Sequence, residues 1–100
     1  MDEKKIFSYV NFAVKAGDVV YGIDNIKQTK KHIYCVILSI TATQNLTHSV
    51  TNFCNKLDLP LIILQQSSVD GLLHTNNCKV IGLTNESLAR QIVYLNSLEE

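Results

Sequence analysis

The sequence predicts a three-layer α-β-α sandwich of the α/β class, built on a four-stranded mixed sheet. Segments with apolar residues at helical spacing alternate along the chain with short apolar runs that are typical of strands. Glycine, proline or clustered polar residues separate these segments. The length of 100 residues, with 46% hydrophobic and 18% charged residues, suits a single domain with one core over about residues 5–96.

Nine elements are predicted in chain order. They are a helix over residues 4–16, a short strand over 19–21, a helix over 24–32, a strand over 33–40, a helix over 46–57, a strand over 61–64, a short helix over 69–73, a strand over 78–83 and a helix that begins after Asn85.

Apolar spacing and turn residues define the elements of the first half. Ile6 and Val10 lie one helical turn apart, and Gly17 ends the helix to which they belong. Asp24 is a candidate N-cap for the second helix. Residues 33–40 form a nearly continuous apolar and β-rich run, which predicts a central strand covered on both faces.

The second half follows the same rules. One face of the third helix carries five apolar residues, which are Leu46, Val50, Phe53, Cys54 and Leu57. Pro60 prevents this helix from continuing into the next strand. Ser67 or Ser68 can cap the short helix, and Asn85 can cap the last one. The buried stripe of the last helix is Leu88, Ile92 and Leu95.

Composition and motifs exclude several classes of protein. The three cysteines, Cys35, Cys54 and Cys78, have no paired short spacing, so we expect buried hydrophobic side chains rather than disulfides or a zinc site. No apolar stretch could cross a bilayer and no signal-peptide core is present, so we expect a cytoplasmic protein without membrane contact. No phosphate loop, nucleophile elbow or metal-ligand cluster is present, so we expect neither enzymatic activity nor a cofactor.

The most informative segment is VNFAVKAGDVVYG at residues 10–22, followed by the start of the second helix. It reads as a helix end, a glycine turn, a short strand and a second glycine. Gly22 can adopt a positive φ at no steric cost. The amide groups at the start of the next helix attract phosphate or other anions. This arrangement favours RNA binding.

Seven residues of this segment match the pattern LGLARRAGKLVxG of a known family; they are Phe12, Ala13, Ala16, Gly17, Val19, Val20 and Gly22. Three later runs are similar to strands of the same family, which are VILS at 36–39, LPLII at 59–63 and VIGLT at 80–84. The chain thus resembles, over about residues 6–95, the RNA-binding ribosomal-protein superfamily of large-subunit proteins seven-Ae and thirty-e, in its small bacterial branch. The resemblance implies the same fold.

In the resembled family, the loop after the first strand and the helix that it opens hold kink-turn RNA. The resemblance therefore implies an RNA-binding site formed by Gly22, Ile23, Asp24, Asn25, Lys27, Gln28 and Lys31. Asn25 and Gln28 can donate and accept hydrogen bonds at a base edge. Asp24 stands where the family has asparagine or lysine, and it is either a departure that repels phosphate or a helix cap.

A second loop of the family closes over a flipped-out base. The resemblance places its counterpart at His74, Thr75 and Asn76, where the histidine can stack on a base or simply be exposed. The preceding run VDGLLH departs from the family pattern LGxAxG, and Asp70 adds an acidic group there.

Charge leaves two functions open. Nine basic and nine acidic side chains give a net charge of zero, which excludes a strong general binder of polyanions. A local patch is formed by Lys15, Lys27, Lys30 and Lys31 if they lie together near Gly22, although a solvated helix face explains these lysines equally well.

We expect a small RNA-binding protein, associated with the ribosome or bound to structured RNA such as ribosomal RNA. The alternative is a protein-interaction module on the same fold, with weakened RNA binding and a protein partner or self-association. Asp24, Asp70 and Gln28, which stands where the family has a lysine, suggest this alternative.

Overall fold

The computed structural model describes residues 3–64 and 79–97 of the chain, which form four helices and four strands. In chain order these are α1 (Glu3–Ala16), β1 (Val19–Tyr21), α2 (Ile23–Gln28), β2 (Cys35–Ser39), α3 (Gln44–Leu57), β3 (Leu61–Leu64), β4 (Val80–Leu83) and α4 (Glu86–Ser97). The helix predicted over residues 69–73 lies outside the described residues.

The four strands form one mixed sheet in the order β1-β4-β2-β3. The central strand β4 runs antiparallel to both of its neighbours, whereas β2 and β3 run parallel. Leu83 of β4 pairs with Val19 on one side and with Cys35 on the other, which fixes the register of three strands. All five residues of β2 are buried, as predicted for a strand covered on both faces.

Helices cover both faces of this sheet. Successive side chains of a strand point to opposite faces, and β2 supplies Cys35 and Ile37 to one core cluster and Val36 and Leu38 to the other. The first cluster packs α1 and α4 against the sheet, and the second packs α2 and α3 against its opposite face. The predicted three-layer sandwich with a four-stranded mixed sheet is confirmed.

Side chains cap two helices, and the cap predicted at Asn85 is confirmed. The backbone N–H of Leu46 donates to Oγ1 of Thr43 at 3.1 Å at the start of α3. The backbone N–H of Leu88 donates to Oδ1 of Asn85 at 3.1 Å at the start of α4. Nδ2 of Asn85 donates in turn to Oδ2 of Asp18 at 3.1 Å, which joins the turn before α4 to the turn before β1. One amide side chain therefore satisfies a helix end and connects two turns.

The prediction for α2 is wrong at both ends. The helix ends at Gln28 rather than at residue 32, because Thr29 turns to extended backbone at φ −65° and ψ 144°. The residue at the N-cap position is Gly22, and no side chain caps this helix, so Asp24 is not the cap. Asp24 lies in the first turn instead, where the positive end of the helix favours a carboxylate.

Candidate nucleic-acid interface

The lysine-bearing segment from α2 to β2 is fixed to the sheet at two points. Ile26 and Ile33 are buried in the second core cluster, and both lie against Gly82 of β4. A Cβ atom added to Gly82 would lie 3.1 Å from Cδ1 of Ile33 and 3.3 Å from Cγ1 of Ile26. The missing side chain of Gly82 thus lets this segment approach the sheet closely, and the residues between the two isoleucines are held at the surface.

Gly22 and Ile23 connect this segment to the sheet. Gly22 has φ 84° and ψ 146°, a conformation that L side chains rarely adopt, and its N–H donates to the carbonyl of Val80 at 3.0 Å. A Cβ atom here would meet nothing within 4 Å, so the backbone angle rather than lack of space requires glycine. The half-buried Ile23 packs against the second core cluster. Both predicted site residues therefore position the start of α2.

The polar residues predicted to contact RNA are exposed. These are Asp24, Asn25, Lys27, Gln28 and Lys31. Nδ2 of Asn25 donates to the carbonyl of Tyr21 at 2.9 Å, which restrains the side-chain amide at the surface. Because α2 has only six residues, few peptide dipoles align in it, and the lysine side chains are the main source of positive charge here.

Lys27 bridges α2 and α3. Its Nζ donates to Oγ of Ser49 at 3.2 Å, across 22 positions of sequence. Two neighbouring cavities of about 460 and 400 Å³ open along this junction, and both are lined by Lys27, Phe53 and Leu57. We call the surface formed by these two cavities the lysine groove, because its further lining residues include Lys30, Lys31 and Lys56. Among the described residues, no aspartate or glutamate lines either cavity.

Lys15 does not belong to this groove. It lies on α1, which covers the face of the sheet opposite to α2, and it lines a separate cavity with Ser8, Asn11 and Phe12. The prediction of one patch containing Lys15 is therefore wrong, because the sheet lies between the two helices.

The chain is similar to solved structures in fold, but not to known proteins in sequence. No protein-family model matches it, and no curated protein matches its sequence. Its fold is similar to a solved structure described as a protein with unknown function from Bacillus halodurans C. The two share 17% sequence identity with a TM-score of 0.78, over 93% of this chain and 97% of the other. At this identity the similarity shows the small α/β fold alone.

The second predicted site, His74, Thr75 and Asn76, lies outside the described residues, as does Cys78. The described part of the chain resumes just before β4, whose first residue, Val80, accepts the hydrogen bond from Gly22.

The described cysteines and hydroxyl groups have local structural roles. Burial raises the pKa of the Cys35 thiol to about 12 and also raises the pKa of Cys54, so both thiols are protonated at neutral pH. Oγ of the buried Ser39 lies 2.7 Å from Oγ1 of Thr41, within hydrogen-bonding distance.

In residues 3–64 and 79–97, no group of three or more His, Cys, Asp or Glu side chains could hold a metal ion. No helix in these ranges is long and apolar enough to span a bilayer.

Sequence reasoning missed the part of the groove that α3 contributes. Periodicity assigned Phe53 and Leu57 to a buried stripe, yet Leu57 is 53% exposed and both residues line the cavities. The missed signal is the series Ser49, Asn52, Phe53 and Lys56, whose offsets of 0, 3, 4 and 7 place them on one face of the helix. Polar and basic residues at helical spacing indicate that this face of the helix is exposed, whereas the spacing of the apolar residues alone indicated a buried face.

Proposed function

We propose that this chain is a small, non-enzymatic RNA-binding protein that binds structured RNA, of the kink-turn type or ribosomal RNA, through α2 and the segment after it. The observation that carries the proposal is the concentration of charge there. Lys27, Lys30 and Lys31 make up three of the nine basic residues of the chain, all within five positions and all exposed. The glycine-turn motif that ends at Gly22, through which the chain resembles kink-turn binders, supports the same proposal.

The rest of the molecule favours selective over general binding. Phosphate contacts from lysine supply affinity without sequence information, and a neutral protein gains little from long-range attraction to any polyanion. Discrimination then comes from the shape of the RNA and from unstacked bases within reach of Asn25 and Gln28. A sharply bent RNA brings its backbone to a short surface such as this one.

A binding comparison tests the proposal. Fluorescence anisotropy is measured with a labelled kink-turn RNA and with a plain duplex of equal length, over a series of salt concentrations. We expect preference for the bent RNA, and a slope of roughly −2 to −3 in log affinity against log salt if three lysines contact phosphates. Lys27→Glu should weaken binding, whereas Lys15→Glu on the opposite layer should not. Equal affinity for both RNAs at low salt would refute the proposal.

A second candidate function rests on exposed aromatic side chains. Phe12 on α1 is 68% exposed and Tyr94 on α4 is 59% exposed, and these two helices pack side by side in one layer. We propose, as the alternative, that this layer mediates self-association, because large exposed aromatic residues are enriched at protein interfaces. Sedimentation velocity over a range of concentrations tests it. Association that Phe12→Ser abolishes would favour this function, and a monomer at every concentration would exclude self-association.

A further inference from the structure

The lysine groove combines two kinds of surface. Its rim carries Lys27, Lys30, Lys31 and Lys56, and no carboxylate among the described residues lines it. Between these cations lie Phe53, half-buried against the second core cluster, and Leu57, which is 53% exposed at the last position of α3. A solvated lysine surface has no need of an exposed leucine beside a phenylalanine. The pairing of cationic and apolar groups indicates a ligand that has both anionic and flat apolar parts.

Nucleotides have these two parts. Their phosphates pair with lysine, and their bases stack on aromatic or apolar side chains when they are not already stacked in a duplex. The cavities, of about 460 and 400 Å³, fall within the size range of sites for small ligands. Ser49 and Asn52 also line the first cavity and offer polar atoms to base edges.

The two helices form this surface as one unit. The hydrogen bond from Lys27 of α2 to Ser49 of α3 spans their junction, and both helices pack on the same core cluster. Lys56 lines the first cavity, Lys30 and Lys31 line the second, and the apolar pair is common to both. A chain of successive phosphates can therefore contact cations in both cavities while its bases lie over the shared Phe53 and Leu57.

We propose that the lysine groove binds a single RNA strand that extends from the structured RNA bound at α2, with its unpaired bases on Phe53 and Leu57 and its phosphates running from the α2 lysines to Lys56. This inference rests on the proposed function and extends it, because it adds α3 to the interface and names unpaired nucleotides as the ligand. An acidic peptide would use the lysines but leave the apolar pair without a partner.

The test compares the kink-turn RNA with the same RNA carrying a short single-stranded uridine extension. We expect the extension to strengthen binding by about three- to tenfold, because its unpaired bases gain stacking contacts at the cost of ordering the strand. Two single variants in the groove, Lys56→Gln and Leu57→Ser at the exposed leucine, should each remove most of this gain in affinity. Neither should change the affinity for the unextended RNA. Lys15→Gln, a matched lysine change on the other layer, should keep the gain.

Each outcome decides between the two proposals. If the unextended bent RNA binds but the extension adds nothing, or if its gain survives both groove variants, the groove inference is wrong while the proposed function stands. If neither RNA binds in preference to a plain duplex, the proposed function fails and the inference fails with it. Polyglutamate that displaces the extension as well as polyuridine does would show a general anion site and overturn the assignment to nucleotides.

Discussion

At the scale of single residues, Gly22 and Gly82 show that glycine serves two physical needs in this chain. Gly22 is needed for its backbone angle, in open space, whereas at Gly82 a Cβ atom would lie unusually close to the side chains of Ile26 and Ile33. The first shapes the entry into α2, and the second sets its distance from the sheet. Both act on the segment that carries the lysines.

Replacing Gly22 with alanine should therefore destabilise the protein through backbone strain alone. We expect Gly22→Ala to lower the free energy of unfolding by about 1–3 kcal/mol, because φ 84° with ψ 146° is a region that only glycine adopts readily. Urea denaturation followed by circular dichroism measures this change. An effect below about 0.5 kcal/mol, typical of neutral surface changes, would contradict the reasoning.

The carboxylate of Asp24 repels phosphate, so removing its charge tests directly whether RNA lies at the start of α2. Asp24→Asn should strengthen binding to the bent RNA by about two- to fivefold, as expected for one exposed charge worth roughly 0.5–1 kcal/mol. Anisotropy titration at low salt measures it. Glu86→Gln, at the start of α4 in the other helical layer, makes the same change of charge and should have no effect. Equal effects of the two variants would place the RNA elsewhere.

At the scale of elements, periodicity was sufficient where an amphipathic helix packs on one face. The helices α1, α3 and α4, the buried strand β2 and the cap Asn85 agree closely with their predictions. The end of α2 could not be predicted, because Ile26 and Ile33 are seven positions apart and fit either two more helical turns or an extended chain. The sheet decides between them, since the N–H of Tyr34 donates to the carbonyl of Leu83 at 2.8 Å, which requires an extended approach to β2.

The candidate site was predictable only in part for a related reason. The exposed lysines after Gly22 can be read from the sequence, since they follow a turn motif within a few positions. The contribution of Phe53 and Lys56 depends on α3 lying beside α2 on one face of the sheet. That neighbourhood follows from strand order, which local sequence patterns do not contain.

The buried thiol of β2 makes stability depend on alkaline pH. Burial raises the pKa of Cys35 in the folded protein from the ordinary value of 9.0 to about 12. The contribution of this thiol to the free energy of unfolding is therefore fully present below pH 9.0 and is lost as the pH rises toward 12. At roughly one pH unit above 9.0, the thiol ionises in the unfolded chain but not in the folded protein, which should lower the free energy of unfolding by about 1.4 kcal/mol.

Urea denaturation of the native protein and of Cys35→Ala over this pH range measures the effect. The native protein should lose more stability than the variant, because tyrosine and lysine titrations are common to both. Parallel pH profiles for the two proteins would show that Cys35 ionises as easily in the folded state as in the unfolded one.

At the scale of the whole molecule, the two core clusters are coupled through shared strands. β2 and β4 each bury residues in both clusters, so neither helical layer can separate without exposing the other side of the same strands. The molecule should therefore unfold as one cooperative unit, as small single domains usually do.

Matched truncations in the two layers test this coupling. Val10→Ala in α1 and Val50→Ala in α3 each remove two buried methyl groups and should each cost about 2 kcal/mol. Their effects should add in the double variant, with an unchanged dependence on denaturant, since the sites lie on opposite faces of the sheet. Separate transitions for the two layers would show independent units.

The place of β4 between β1 and β2 bears on how the protein is made. During translation, β1 is synthesised before the other three strands, yet its hydrogen-bonding partner β4, at residues 80–83, follows some sixty positions later. Until then the nascent chain presents one unpaired edge of β2, which contains Val36, Ile37 and Leu38, and an unpaired β1, which contains Val19 and Val20. Unpaired apolar strands of this kind are prone to aggregate. Truncation before residue 80 should thus yield insoluble fragments, which makes β4 as critical for solubility as the strands that precede it in the chain.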